Sequence, residues 1–178
     1  MEREYRNRRP RNSKIKRQRE ERKPLIDMYN IFKFVVIWVI LALAAFGVKK
    51  VVMMALAASP TGKVGNGMLT LYEVHNTGAA FNLFAGQQEM IITASFFAVA
   101  IISFIVIMTS TKQSGTAISA MSALCAGITM NMLERINLGY VIDYISCEFA
   151  PGIPMFNVPD IFIVVGAVCL ILSLLTRK

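Results

Sequence analysis

Charged side chains are scarce in this chain. Asp, Glu, Lys and Arg make up 17% of its 178 residues, against 55% hydrophobic, and the mean hydropathy is +0.53. That balance excludes an ordinary water-soluble domain and is the composition of a membrane protein. Cysteine is also sparse. Cys125 and Cys169 fall inside apolar runs and Cys147 outside them, an odd set without metal-ligand spacing, so neither a disulfide framework nor a zinc site is indicated. Histidine occurs once, as His75, with no partner motif around it, and reads as a surface or loop residue. Neither a metal nor a cofactor is expected.

In place of charge the chain has four apolar runs, at residues 34–58, 90–108, 116–133 and 160–175. Each is long enough, or nearly so, to cross a hydrocarbon core, which takes about 20 helical residues. Lys49 and Lys50 near the end of the first run have stems long enough to snorkel toward the headgroups. The fold class expected is an all-α polytopic membrane protein of four transmembrane helices. A small outer-side β platform is expected between the first two, from about residues 60–88, where the alternation after Leu71 suits a strand. The linker 135–159 is expected to form a second outer element.

Orientation follows from charge. Residues 1–33 carry 12 Lys and Arg against 5 Asp and Glu, which by the positive-inside rule places the amino terminus in the cytoplasm. Lys112 and the terminal Arg177-Lys178 then fall on the same side, so both termini are cytoplasmic and the loops around Glu73 and Asp143 face outward. The division expected is a basic, disordered cytoplasmic arm, 1–33, and a membrane domain, 34–178. Acids interrupt the arm and its only early aromatic is Tyr5, so anionic lipid headgroups, and no nucleic acid, are its expected contact. Ala55-Leu56-Ala57 has the small residues of a cleavage site, but the charged stretch ahead of it is too long and two lysines intervene, so an uncleaved anchor is expected.

Two acids stand at the ends of apolar runs, inside distinctive phrases. Asp143 closes Asn131-x-x-Glu134-Arg135-x-x-x-Gly139-x-Val141-x-Asp143, and Asp160 closes Phe156-Asn157-x-x-Asp160. Acids near membrane depth are expensive, which makes function the first hypothesis, and two carboxyls sharing one proton are the minimal equipment of aspartic proteolysis. Plainer roles exist. Asn157-x-x-Asp160 has helix-cap spacing with Pro159 in the first turn, and Asp143 could be a loop acid paired with Arg135. A third phrase, Asn76-x-Gly78-Ala79-Ala80-Phe81-Asn82, precedes the second run; its glycine and alanines permit close approach, and its asparagines offer polar groups.

Together, and in this order around four spans, the three phrases resemble lipoprotein signal peptidase, the type II signal peptidase of bacteria, over residues 34–178. The resemblance implies a membrane-embedded aspartic endopeptidase of the bacterial cytoplasmic (inner) membrane. Its substrate would be a diacylglyceryl-modified prolipoprotein, whose signal peptide it would remove by cutting before the lipidated cysteine. By the same resemblance Asp143 and Asp160 correspond to the catalytic pair, working on the outer side. Asn76, Gly78, Asn131, Arg135 and Asn157 correspond to the residues that bind substrate or support the pair, and a monomer is expected. The chain departs from the family pattern at Glu134 and Pro159, where an aspartate and a small residue are usual. It departs also at Met130, usually glycine, and at Phe46, where an Asp-x-x-x-Lys pattern is reduced to Phe46 and Lys50.

The chemistry can be stated from the residues alone. One carboxylate takes a proton from water as it attacks the scissile carbonyl, while the protonated partner polarises that carbonyl and then protonates the leaving nitrogen. Asp160, in a first helical turn, has the dipole's support as the ionised base, which leaves Asp143 as the acid. Two other functions compete: a catalytically silent relative that binds lipidated peptides, and a small proton-coupled transporter. The transporter would need acids along a polar stripe inside the spans, which are almost wholly apolar.

Overall fold

A computed structural model describes residues 26–65, 67–79, 83–150 and 152–176 of the chain. The basic arm up to residue 25, the terminal Arg177-Lys178 and the motif residues Ala80, Phe81 and Asn82 lie outside the described residues. Among the described residues four helices form: α1 (Met28–Ala58), α2 (Gln88–Thr109), α3 (Gly115–Leu138) and α4 (Val158–Leu175). All four are long and apolar enough to cross a membrane.

Helix ends follow caps, whereas the apolar runs mark only where hydrocarbon ends. α1 begins six residues before the run at Phe34, because the Asp27 carboxylate accepts from the N–H groups of Tyr29 (3.0 Å) and Asn30 (3.3 Å). α3 continues past its run through Glu134, Arg135 and Asn137. It stops at Gly139, whose left-handed φ of 80° lets its N–H close on the Arg135 carbonyl at 2.9 Å.

α3 is the buried centre of the bundle. Of its apolar window 56% is buried inside the protein, against 11% for each of the other helices, whose remaining apolar faces are left for lipid. Small residues make this possible. A Cβ at Gly127 would stand 2.3 Å from the Pro159 carbonyl oxygen, so α3 and α4 touch backbone to backbone beside the start of α4. Close approach of this kind is how helices associate in lipid, where no hydrophobic effect drives them together. On the opposite face Phe34, Val106, Ile118, Met121 and Cys125 form the core between α1, α2 and α3, and the buried Ser122 hydroxyl lies 3.1 Å from the Phe34 carbonyl, which accepts from it.

Beyond the helices stands a three-stranded antiparallel sheet in the order β1 (Val64–Gly65), β2 (Leu69–Asn76) and β3 (Val141–Cys147). The platform between the first two helices is therefore present, with one difference from expectation. The 135–159 linker adds β3 to this same sheet and so is not a separate element, with Val74 opposite Asp143 and Asn76 opposite Val141. Without β3 the eight residues of β2 would present an unpaired edge. Phe156 continues the ladder, exchanging N–H and carbonyl with Ile145 at 3.1 and 2.9 Å.

The two ends of the bundle differ. At one, Asp27 and Asn30 bond to Ser110, Lys33 to Gly115, and Ser114 to Ser173. At the other lie the sheet and both singled-out aspartates. Lys49 departs from the snorkelling expected of it and turns inward to meet Glu134 at 2.8 Å.

Candidate active site

Asp160 sits in the first turn of α4 because of a reciprocal cap. The Asn157 side chain accepts from the Asp160 N–H at 2.9 Å, and the Asp160 carboxylate accepts from the Asn157 N–H at 3.0 Å. The capping role foreseen for this acid is thus real. Capping uses Oδ2, which leaves Oδ1 to the Asn131 amide at 2.8 Å.

Asp143 comes from β3 and is 4% exposed. Its Oδ2 accepts from the Asn76 amide at 2.9 Å, across the β2–β3 ladder, and its Oδ1 from the Asn157 amide at 3.2 Å. Asn157 also donates to Asn131 Oδ1 at 3.1 Å. A continuous chain of neutral amides therefore runs Asp143, Asn157, Asn131, Asp160, and residues of β3, α3 and the start of α4 form one cluster.

The remaining singled-out residues brace this chain. The Gly78 N–H donates to Asn76 Oδ1 at 2.9 Å, fixing the amide that faces Asp143. Arg135 donates to the Gly78 carbonyl at 2.7 Å and to the Asn131 carbonyl at 3.2 Å, so it ties the β2 loop to α3. The ion pair considered for Arg135 with Asp143 does not form; two carbonyls take the guanidinium in its place. Its charge still acts on Asp143 from nearby. Burial pushes the Asp143 carboxyl up to about 6; the Asn76 hydrogen bond opposes the rise, the negative charge of Asp160 adds to it, and Arg135 pulls against it. All seven residues singled out from sequence thus come together.

Tyr144 is a further member of the cluster, and Glu134, marked in the sequence only as a departure from the family pattern, makes contacts the sequence does not foretell. Tyr144, almost fully buried, places its hydroxyl oxygen 3.3 Å from the Val158 N–H, which donates to it at the start of α4. Glu134 accepts from the Ile142 N–H at 2.9 Å, one residue before Asp143, and holds Lys49 with its other oxygen. A lysine within an apolar run was the available signal, since such a charge normally finds a partner. His75, exposed as expected, lies in β2 and not in a loop; it meets Glu73 at 2.7 Å and stacks on Tyr140. Among the described residues no group of three or more His, Cys, Asp or Glu is arranged to hold a metal ion.

Two carboxyls held by uncharged donors can activate a water and protonate a leaving group in turn. Comparisons with known proteins indicate a peptidase. The sequence model of the family described as signal peptidase (SPase) II matches residues 20–176. A lipoprotein signal peptidase of Halothermothrix orenii is 33% identical over 128 residues, 71% of this chain and 84% of that one. One of Dehalococcoides mccartyi is 32% identical over 117 residues, 64% and 71% of the two chains. A solved structure described as a bacterial membrane enzyme shares the fold with a TM-score of 0.68 at 20% identity, covering 88% of this chain and all (100%) of the other. A second gives 0.67 at 21% identity, over 80% and 87%.

Proposed function

Since the chain belongs to the signal peptidase II family, we propose that it is an aspartic endopeptidase that removes the signal peptide from diacylglyceryl-modified prolipoproteins, cutting before the lipidated cysteine. The observation that carries this reading is the amide chain from Asp143 through Asn157 and Asn131 to Asp160. It fixes one oxygen of each carboxyl toward the other acid's support, so the two act on one water and one carbonyl.

Asp160, at a helix N-terminus and bonded by two N–H donors, is the ionised base. Asp143, whose buried carboxyl holds its proton up to about pH 6, is the acid that polarises the carbonyl and then protonates the leaving nitrogen. Substrate burying the site further raises the proton affinity of Asp143, so the acid remains protonated where turnover takes place. The positive-inside surplus of residues 1–33 supports an outer-face position for this end of the bundle, the side from which water reaches the acids. The signal helix and both acyl chains of the substrate then remain in lipid during cleavage.

The test is cleavage of a lipidated prolipoprotein peptide by the purified protein. Asp143→Asn and Asp160→Asn should each lose at least about a hundredfold in kcat, the usual contribution of a positioned acid or base, while remaining inserted. Near-normal turnover by either variant would remove the aspartic mechanism.

A further inference from the structure

Residue Ile142 directly precedes Asp143 on β3, the outer strand of the sheet among the described residues, and its N–H is bonded to a side chain of α3. Phe156 supplies ladder partners only further along, at Tyr144 and Ile145. A buried N–H in that position needs an acceptor, and Glu134 Oε2 provides it at 2.9 Å. The other oxygen of Glu134 is held at 2.8 Å by Lys49 of α1, with 17% of the lysine side chain and 10% of the glutamate side chain exposed. One carboxylate thus joins α1, α3 and the strand that carries Asp143.

We propose that Lys49 is a positioning residue: by clamping Glu134 it sets the strand at Ile142 and so the place of the Asp143 carboxyl against Asn76 and Asn157. The adjacent Lys50 does something else. Its ammonium lies 5.1 Å over the Phe46 ring. Both lysines border a groove of about 630 Å³ between α1 and α3, also lined by Met53, Met130 and Leu133. Glu134 lines this groove as well. Two neighbouring lysines of one chemistry thus differ in partner, a carboxylate for Lys49 and an aromatic ring for Lys50.

This inference rests on the assignment of Asp143 as the acid, so Asp143→Asn is assayed beside it. With a lipidated prolipoprotein peptide, Lys49→Met should lower kcat about tenfold, as expected when a reacting group is displaced by a fraction of an ångström, with KM within about twofold. Lys49→Arg should recover most of the loss, Lys50→Met should lose less, and amide exchange at Ile142 should quicken in Lys49→Met. Wild-type kcat in Lys49→Met, a loss matched by Lys50→Met, or a rise in KM alone would each overturn the proposal while Asp143→Asn stays inactive. An active Asp143→Asn would instead sink the dyad reading on which it rests. Should Lys49→Met fail to insert, Glu134→Gln keeps the side-chain volume and tests the same clamp: slower kcat with faster Ile142 exchange supports it, and unchanged kcat overturns it.

Discussion

An aspartate in the unfolded chain titrates near 3.8, and Asp143 in the fold near 6. Between those values the folded protein holds a proton that the unfolded chain has released, so stability falls as pH rises through the window and stays low above it. Relative to Asp143→Asn, the wild type should lose on the order of 2 kcal/mol between pH 4 and pH 7. Thermal unfolding of both proteins in detergent at the two pH values measures this, and a Tm difference indifferent to pH would contradict it. Activity should follow the same proton, with kcat/KM declining on an alkaline limb that begins near pH 6 in the free enzyme. At this scale the sequence was highly legible, because each polar residue near membrane depth needs a reason and the spacing of Asn157 and Asp160 is that of a cap. The jobs of Lys49 and Tyr144 were not legible. Which way a long side chain turns depends on the helix beside it, and chain spacing within one helix carries no record of that neighbour.

Among the elements, the α3–α4 contact sets the distance between the two halves of the site. Gly127 lies one turn before Asn131, and the carbonyl it meets belongs to Pro159, next to Asp160. Gly127→Val should push α4 off α3, costing about 1–3 kcal/mol of stability and breaking the Asn131–Asp160 hydrogen bond. The expected sign is a large fall in kcat at temperatures where the variant is still folded; a variant with wild-type kcat would show that this contact is not what spaces the acids. The helices were foreseen from apolar runs, with ends displaced because hydropathy reports lipid depth and caps report hydrogen bonding. β3 was missed as a partner of β2. Val141, Ile142, Asp143 and Tyr144 are buried in succession, so no alternation marks the strand, and its partner lies 67 residues away at the Asn76–Asp143 bond.

For the whole molecule, the surplus of basic residues ahead of α1 predicts which end meets the cytoplasm. In a Cys147→Ser background, a cysteine placed at Lys112 should resist a membrane-impermeant thiol reagent applied to intact cells, whereas native Cys147 should react. Labelling at position 112 from outside would reverse the orientation and put the acids on the inner face. Lengths along the bundle carry a further consequence. α1 has 31 residues and α4 has 18, so at 1.5 Å per residue they extend roughly 46 and 27 Å against a hydrocarbon core of about 30 Å. The helix that begins at Val158, with Asp160 in its first turn, is the short one, and lipid beside it must dip to meet its ends. Bilayer thickness thereby becomes a reaction variable: the local thinning shortens the path of water to the acids, and in membranes of longer acyl chains turnover should slow as that dip grows costlier to maintain.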